Sequence, residues 1–413
     1  MKADAETSAH TLPQILNVSE RTLPALGNGI GKTAPATSGT AARNPRGSLE
    51  ALLHAMLQTS PNVSDLIFSP GRPPQVEVRG QLLPCAGYTA GALSSDETRR
   101  IASELLGSNQ NAVSALREHG SCDTSYGLTG IARFRVNVFI QRGSCAVVMR
   151  VIPTTIPDFA ALHLPAHLAE IANLRDGIVL VAGPSGSGKS STLAAMLDRI
   201  NETQSYHVVT VEDPIEFLHN HKKCTIHQRE LHSDTPSFSL ALKAALRQSP
   251  KVILVGDIRD RETVVTVLEA AETGHLVLSS LHANSAEETI DRLMASFSQN
   301  EQAAVRSRLA RLFRYIVCQK LLPRRNGEGR ALAVEIVRST PLTREWVELG
   351  VNAGRTLAEA MQAGPNEHTH FLDDAIANLV RNGEVELDTA LLHATNPARL
   401  REELSLASGA SGR

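Results

Sequence analysis

The sequence predicts an α/β fold for the central part of the chain, with a small α+β domain before it and helices after it. From about residue 165 onward, short apolar runs alternate with amphipathic segments, which is typical of a parallel sheet covered by helices. Before this region, short strand-like runs are separated by Pro and Gly. After residue 341, the apolar residues recur at helical spacing.

Composition narrows the class of protein. With 413 residues the chain exceeds what one hydrophobic core usually supports, so two folded domains are expected. The formal net charge of −2 argues against a protein that coats nucleic acid. The sequence lacks a run of about 18 uncharged apolar residues and an apolar signal core at its N-terminus. We therefore expect a cytoplasmic protein.

The cysteines do not form a metal-binding pattern. They are widely spaced and include no C-x-x-C pair, which favours reduced structural thiols over a four-cysteine zinc module. They are Cys85, Cys122, Cys145, Cys224 and Cys318.

The N-terminal part is expected to contain a disordered tail, a small domain and a linker. Residues 1–47 are rich in Ala, Thr, Pro, Gly and Asn and have no sustained apolar period, which predicts disorder. Ser48 is a plausible N-cap for an amphipathic helix that opens a domain over 48–152. A second helix is predicted after Ser94, with strands at 64–68, 75–82, 131–139 and 146–152. Residues 153–164 are predicted to be a linker, of which 153–157, with a proline at each end, form a stiff connector.

The central domain is predicted over 165–340 and a helical region over 341–405, followed by a tail at 406–413. The predicted strands are 178–182, 207–211, 252–255 and 276–279, and the predicted helices between them are 189–201, 237–248, 261–272 and 285–296. Residues 300–321, 341–350 and 369–405 are also predicted to be helical.

A phosphate-binding loop lies between the first predicted strand of this domain and its helix. The segment fits G-x-x-x-x-G-K-[ST] at each fixed position, and its flanks provide the strand and helix that the motif requires. The lysine would reach the β- and γ-phosphates of a nucleotide, and the following serine would bind Mg²⁺. The candidate nucleotide-binding residues are Gly183, Pro184, Ser185, Gly186, Ser187, Gly188, Lys189, Ser190 and Ser191.

Acidic residues and histidines end the neighbouring strands. Glu212 and Glu216 follow an apolar strand, and one of these residues or the Asp between them could orient or deprotonate an attacking water. Asp257 follows four apolar residues and a glycine, the Walker B arrangement that serves Mg²⁺. His275 and His282 lie at the two ends of another strand, where a structural role is the alternative to a catalytic one.

These motifs together resemble the type II and type IV secretion ATPase superfamily. The resemblance is strongest to the type IV pilus retraction, or twitching motility, ATPases of the PilT type. It rests on Gly-Pro-Ser-Gly-Ser-Gly-Lys-Ser at 183–190, Glu-Asp-Pro-Ile-Glu at 212–216, Val-Gly-Asp-Ile-Arg-Asp at 255–260 and the two histidine segments between 273 and 285. Arg-Phe-Arg-Val-Asn at 133–137 extends it into the N-terminal domain.

The resemblance implies a hexameric ATPase ring with a PAS-like N-terminal domain and a RecA-like core that binds ATP and Mg²⁺. It implies that Glu216 polarises water, Asp257 serves the Mg²⁺ and His282 senses the γ-phosphate. Arg133 and Arg135 would reach the phosphates, although alternation alone explains them as a solvated strand face. The resemblance also implies an inner-membrane platform protein as partner and peripheral membrane association. No basic-aromatic track appears in the sequence, so stable nucleic-acid binding is not expected.

The arginines agree with the ring that the resemblance implies. No arginine lies beside the phosphate loop in sequence, so we expect arginines that act from a neighbouring subunit. Arg247 and Arg259 are the candidates for these subunit contacts. Such contacts would close a six-fold ring.

Two departures from the family pattern leave alternatives open. Asp257 stands where the family has Glu, so one alternative is a regulatory ring component that binds ATP with little turnover. Residues 341–348 match a segment of the retraction subfamily only weakly, so a type IV secretion or conjugative thin-pilus ATPase is another alternative. Pilus extension and type II secretion motors are disfavoured, because their relatives usually carry a four-cysteine segment.

Overall fold

The computed structural model describes residues 48–153, 155–363 and 370–410. The predicted tail at 1–47 lies outside the described residues. Where a C-terminal tail is predicted from 406, the last helix continues to Ala410. Within the described ranges, no helix combines the length and the apolar character needed to cross a bilayer.

The N-terminal part forms an antiparallel six-stranded sheet with the strand order β3-β2-β1-β6-β5-β4. Ser94 and Glu97 form the reciprocal capping box that starts the second helix. The strands are β1 (Val63–Phe68), β2 (Gln75–Val78), β3 (Gln81–Pro84), β4 (Ser121–Leu128), β5 (Ala132–Gln141) and β6 (Ser144–Ile152), and the helices are α1 (Leu49–Gln58), α2 (Ser95–Leu106) and α3 (Gln110–His119).

The structure divides residues 75–82, predicted as one strand, into the hairpin of β2 and β3. The division follows from the turn, because Arg79 and Gly80 both have positive φ, 52° and 79°. Two consecutive residues with positive φ form the tight hairpin turn whose twist matches that of the paired strands. Helix α3 and strand β4 were not predicted from the sequence.

The central sheet has seven strands in the order β13-β12-β7-β11-β10-β8-β9. All neighbouring strands are parallel except the edge pair of β12 and β13. The carboxyl ends of the parallel strands therefore share one edge, where ligands bind in such sheets. The strands are β7 (Gly177–Ala182), β8 (His207–Glu212), β9 (Thr225–Glu230), β10 (Val252–Val255), β11 (Leu276–Leu281), β12 (Phe313–Pro323) and β13 (Arg330–Arg338).

Helices cover both faces of this sheet, and further helices follow it. The linker region packs against one face, since Phe159 and Leu162 contact the core beneath the helix Lys189–Thr203. Two 3₁₀ helices lie at Ala166–Asn173 and Gly350–Ala353. The α-helices are α4 (Lys189–Thr203), α5 (Phe238–Ala245), α6 (Arg261–Glu272), α7 (Ala286–Ala295), α8 (Gln299–Leu312), α9 (Pro341–Leu349), α10 (Leu357–Gln362), α11 (Leu372–Arg381), α12 (Leu387–His393) and α13 (Pro397–Ala410).

The prediction of a helix over 300–321 is wrong in its second half. Helix α8 ends at Leu312 and the chain continues as β12. β12 lies between β7 and β13, and most of its residues are buried. The sequence of a strand that is buried on both faces is a continuous apolar run, and periodicity alone does not distinguish such a run from a buried helix.

Candidate active site

The phosphate loop joins β7 to α4 at the carboxyl edge of the central sheet. Gly183, Gly186 and Gly188 have φ values of 154°, 76° and 90°, which side chains other than glycine rarely adopt. A Cβ on Gly183 would lie 2.3 Å from the Ser187 Oγ and 2.6 Å from the backbone oxygen of Gln319 in β12. The first glycine of the loop is therefore also required by the close approach of β12.

Lys189 is folded back onto the loop. Its Nζ donates hydrogen bonds to the carbonyl oxygens of Gly183 at 2.9 Å and Pro184 at 3.1 Å, and it lies 3.5 Å from the Nδ1 of His282. Burial lowers the pKa of Lys189, while Asp257 and Glu216 act in the opposite direction. The ammonium group thus donates to two loop carbonyl oxygens, positions that phosphate oxygens can take over.

A cavity of about 550 Å³ opens beside Lys189. It brings together most of the predicted site residues from the ends of β7, β8, β10 and β11. Those that line it are Ser185, Gly186, Ser187, Gly188, Lys189, Ser190, Ser191, Glu212, Glu216, Asp257, Arg259 and His282.

Glu212 and Glu216 have different environments in this cavity. The Glu212 carboxylate accepts hydrogen bonds from the Thr210 hydroxyl at 2.7 Å, the Gln228 amide at 3.1 Å and the backbone N–H of Glu216 at 3.4 Å. Burial raises its pKa in spite of these donors. Glu216 is exposed. Glu212 therefore stabilises the turn at 212–216, and the Glu216 carboxylate is accessible to a water molecule.

Asp257 presents one satisfied and one unsatisfied carboxylate oxygen. Its Oδ2 accepts a hydrogen bond from the Nε of Arg259 at 2.9 Å, and Arg259 also reaches Asp213 through Nη1 at 3.0 Å. Its Oδ1 is buried and has no hydrogen-bond partner among the described residues. A buried acceptor without a partner is costly, so this oxygen is suited to a ligand or its water.

His275 and His282, which flank β11, have different environments. His282 lies in the cavity, with its Nε2 3.8 Å from the Oδ2 of Asp257, and its backbone oxygen accepts a hydrogen bond from Arg292. His275 lies at the other end of the strand, where its Nδ1 is 2.8 Å from the carbonyl oxygen of Ala270 in α6. His275 therefore has a structural contact, and only His282 belongs to the cavity.

The predicted arginines are not all brought to this cavity. Arg259 lines it, whereas Arg135 and Arg247 are exposed residues outside it. Arg133 lines a different cleft and donates hydrogen bonds to Ser125 at 2.8 Å and Glu230 at 3.3 Å.

No arginine lies beside the phosphate loop in the sequence, but the structure brings a distant arginine of the same chain to it. The Nη1 of Arg330 donates a hydrogen bond to the carbonyl oxygen of Gly186 at 3.1 Å. The two residues are 144 positions apart and meet because β12 pairs with β7 and β13 pairs with β12. A residue brought in by an edge strand leaves no local signal around the loop.

Sequence reasoning also missed His219, which lines the same cavity. Burial lowers the pKa of His219 to about 4. Its backbone N–H donates a hydrogen bond to Gln228 at 2.9 Å, and its buried Nδ1 has no hydrogen-bond partner among the described residues. It is therefore a neutral ring at neutral pH, with an acceptor or donor atom free for a ligand.

Comparison with known proteins assigns the family. The family model described as "Type II/IV secretion system protein" matches residues 127–402. The chain is 36% identical over 359 residues to the type IV pilus ATPase PilU of Pseudomonas aeruginosa, covering 87% of this chain and 92% of that protein. It is 39% identical over 334 residues to the retraction ATPase PilT of the same organism, covering 81% and 95%.

A solved structure gives the same result for the fold. The crystal structure of the pilus retraction motor PilT with bound ADP superimposes with a TM-score of 0.77 at 37% identity, covering 86% of this chain and 99% of that chain. The predicted fold class, an α/β core of the RecA type with a small N-terminal domain and C-terminal helices, is confirmed. The resemblance inferred from the motifs is confirmed as well. The chain belongs to the type II/IV secretion system protein family and, within it, is similar to the PilT-type ATPases.

Proposed function

We propose that this protein is the subunit of a hexameric motor that hydrolyses ATP to drive type IV pilus retraction or a related pilus or secretion machine. The observation that carries the proposal is the convergence of Lys189, Glu216, Asp257 and His282 on one cavity beside the phosphate loop. A phosphate-binding lysine, a carboxylate for water and a carboxylate for Mg²⁺ are the groups that phosphoryl transfer to water requires.

The residues present fit Mg²⁺. Ser190 lines the cavity at the start of α4, and the buried Oδ1 of Asp257 has no partner among the described residues. Mg²⁺ prefers oxygen ligands and keeps several waters, so Ser190 would bind it directly and Asp257 through water. When bound, the ion would neutralise charge that develops on the β- and γ-phosphate oxygens.

Each residue of the site would have a different role in ATP hydrolysis. Lys189 would exchange its two loop carbonyl acceptors for phosphate oxygens, and the N–H groups of the glycine-rich loop would add further donors. Glu216 would orient the attacking water, and Glu212 would hold the turn that carries it. His282, between Lys189 and Asp257, would contact the γ-phosphate and respond to its loss.

The ring and its partners belong to the same proposal. The exposed Arg247 is the candidate for a contact with the nucleotide of a neighbouring subunit, whereas Arg259 is engaged by Asp257 and Asp213 in its own chain. We propose domain boundaries at 48–152, 165–340 and 341–405. The motor would act on an inner-membrane platform protein from the cytoplasmic side, without stable binding of nucleic acid.

The decisive experiment is Lys189→Ala in the full chain, assayed by steady-state phosphate release with ATP and Mg²⁺. We expect turnover to fall by about 100-fold or more, because the positive charge that Lys189 places beside the transferred phosphate is lost. Lys251→Ala, which removes an exposed lysine, is the matched control and should retain turnover. Near wild-type turnover in Lys189→Ala would contradict the site assignment.

A specific observation favours one alternative, an ATP-binding regulatory subunit with little turnover. Asp257 is shorter than the family glutamate, and Arg259 occupies one of its oxygens. Phosphate release from the wild-type protein separates the two functions. Tight ADP binding without measurable release would favour the regulatory subunit.

A further inference from the structure

One ion pair joins the six-stranded sheet to the seven-stranded sheet near the candidate active site. Arg133 lies on β5, and Glu230 is the last residue of β9. Their Nη2 and Oε2 atoms are 3.3 Å apart, and the side chains are 26% and 3% exposed. Glu230 is therefore a nearly inaccessible carboxylate whose charged partner comes from the other sheet.

The same carboxylate also contacts the acidic turn. The Oε2 of Glu230 accepts a hydrogen bond from the backbone N–H of Ile215 at 3.2 Å, and its Oε1 accepts one from Ser233 at 3.3 Å. Ile215 is the residue before Glu216. One oxygen of Glu230 is thus shared between an arginine of the N-terminal sheet and the backbone that places the candidate catalytic carboxylate.

The hydrogen bonds of Arg133 are not complete. Its Nη2 reaches Ser125 at 2.8 Å as well as Glu230, but its Nε is buried and has no hydrogen-bond partner among the described residues. Arg133 is therefore held mainly through one nitrogen. A displacement of β5 would change the distance to Glu230 without breaking a bidentate pair.

Loss of the Arg133 cation would destabilise the buried Glu230 carboxylate. Removal of one partner of a buried ion pair is strongly unfavourable, so Glu230 must follow Arg133 or strengthen its other hydrogen bonds. Either response moves or restrains the N–H of Ile215 and, with it, Glu216. Misplacement of a catalytic group by about 1 Å can cost as much as about 100-fold in rate.

We propose that Glu230 is a positioning residue that couples the placement of Arg133, and hence of the six-stranded sheet, to Glu216 in the acidic turn. Movement of this sheet relative to the central sheet then changes the alignment of the attacking water. The inference rests on the proposed ATPase function, and it gives Arg133 a role that acts through Glu230.

The test uses the full chain and the isosteric variant Glu230→Gln, which removes the charge and keeps an acceptor for Ile215. We expect kcat for phosphate release to fall about tenfold, because the turn is less well placed. The Kd for ADP, measured by fluorescence titration, should change by no more than about twofold, because the groups that bind nucleotide remain.

The matched control is Asp65→Asn. Asp65 is also a nearly buried carboxylate, 8% exposed, and pairs with the Nε of Arg150 at 3.0 Å, but both residues lie within the six-stranded sheet. We expect this variant to lower Tm and to leave kcat within about twofold of wild type. An equal fall of kcat in both variants would show a general loss of stability and overturn the inference.

Combined variants test the order of action. If Glu230 transmits the effect of Arg133, the double variant Arg133→Gln/Glu230→Gln should have the same kcat as Glu230→Gln alone. The single variant Arg133→Lys, which keeps the positive charge, should retain part of the wild-type kcat. Additive losses, or an unchanged kcat in Glu230→Gln, would overturn the inference. Wild-type protein without phosphate release would instead refute the ATPase function itself.

Discussion

At the scale of single residues, Asp257 is the proposed Mg²⁺-serving carboxylate, and it stands where the resemblance leads us to expect Glu. The shorter carboxylate is drawn to Arg259 through Oδ2, and only the buried Oδ1 is left for a metal-bound water. A longer distance between this oxygen and the metal-bound water weakens stabilisation of the transition state more than it weakens nucleotide binding.

We therefore expect Asp257→Glu to raise kcat several-fold, about 1 kcal/mol of transition-state stabilisation, and Asp257→Asn to lower it by about 100-fold. The Kd for ADP should stay nearly constant in both variants. Steady-state phosphate release and nucleotide titration check this. A rate in the Glu variant equal to or below that of wild type would indicate that the surrounding site has adapted to Asp.

His219 predicts a pH dependence of stability. Its folded pKa is about 4 compared with 6.5 as the ordinary value. Between these values the unfolded chain binds a proton that the folded chain does not, so stability falls as pH decreases from 6.5 to about 4. We expect His219→Gln to reduce the loss of Tm over this range.

The control for this prediction is the same substitution at the exposed His54, which should leave the pH dependence of Tm as it is in wild type. Thermal unfolding of the three proteins at several pH values provides the comparison. Identical slopes for wild type and His219→Gln would refute the prediction.

At the scale of secondary-structure elements, the phosphate loop depends on β12. The backbone oxygen of Gln319 closes the space above Gly183, and the Gln319 side chain donates a hydrogen bond to Thr192 of α4 at 2.8 Å. The strand that the sequence predicts as a helix is thus the element that supports one side of the loop.

Gly183→Ala should therefore destabilise the fold by more than backbone strain alone, because the added methyl group meets a backbone atom that cannot rotate away. We expect a loss of about 1–3 kcal/mol from overpacking in addition to strain. Gly274→Ala is the control: it has a positive φ of 89° and nothing within 4 Å, so only about 1–2 kcal/mol of strain applies. Chemical denaturation measures both, and equal losses would contradict the steric argument.

At the scale of the whole molecule, the proposed ring requires a cation that acts between subunits. Arg259 is tied to Asp257 and Asp213, and Arg330 is tied to Gly186 of its own chain. Arg247, exposed just beyond α5, remains available for a neighbouring subunit.

We expect Arg247→Glu to leave Tm almost unchanged and to lower ATP turnover by about 100-fold or more, with a smaller particle in light scattering, because an arginine supplied by a neighbour stabilises transferred phosphate. Lys251→Glu reverses the charge of another exposed residue and should change neither turnover nor mass. Unchanged mass and turnover in Arg247→Glu would count against this contact.

Much of the fold could be predicted from local patterns. The phosphate loop, its flanking strand and helix, and the alternation through β11 follow from sequence neighbours, because a strand-loop-helix motif is complete within about 30 residues. Ser94 and Glu97 specified their helix start in the same way, since a capping box needs only residues three apart. The prediction was wrong in 313–321, where burial on both faces removed the alternation that distinguishes a strand.

The sequence by itself determined the family and the position of the phosphate loop, because these depend on residue types at short, fixed spacings. Only the tertiary structure decided which distant charges meet. It placed Arg330 against Gly186, paired Arg133 with Glu230 and left one oxygen of Asp257 without a partner among the described residues. The physical reason is that strand pairing brings residues 144 positions apart into contact and the packing of one sheet against the other brings residues 97 positions apart into contact. The energy of a charge pair depends on distance and burial, and the spacing along the chain gives neither.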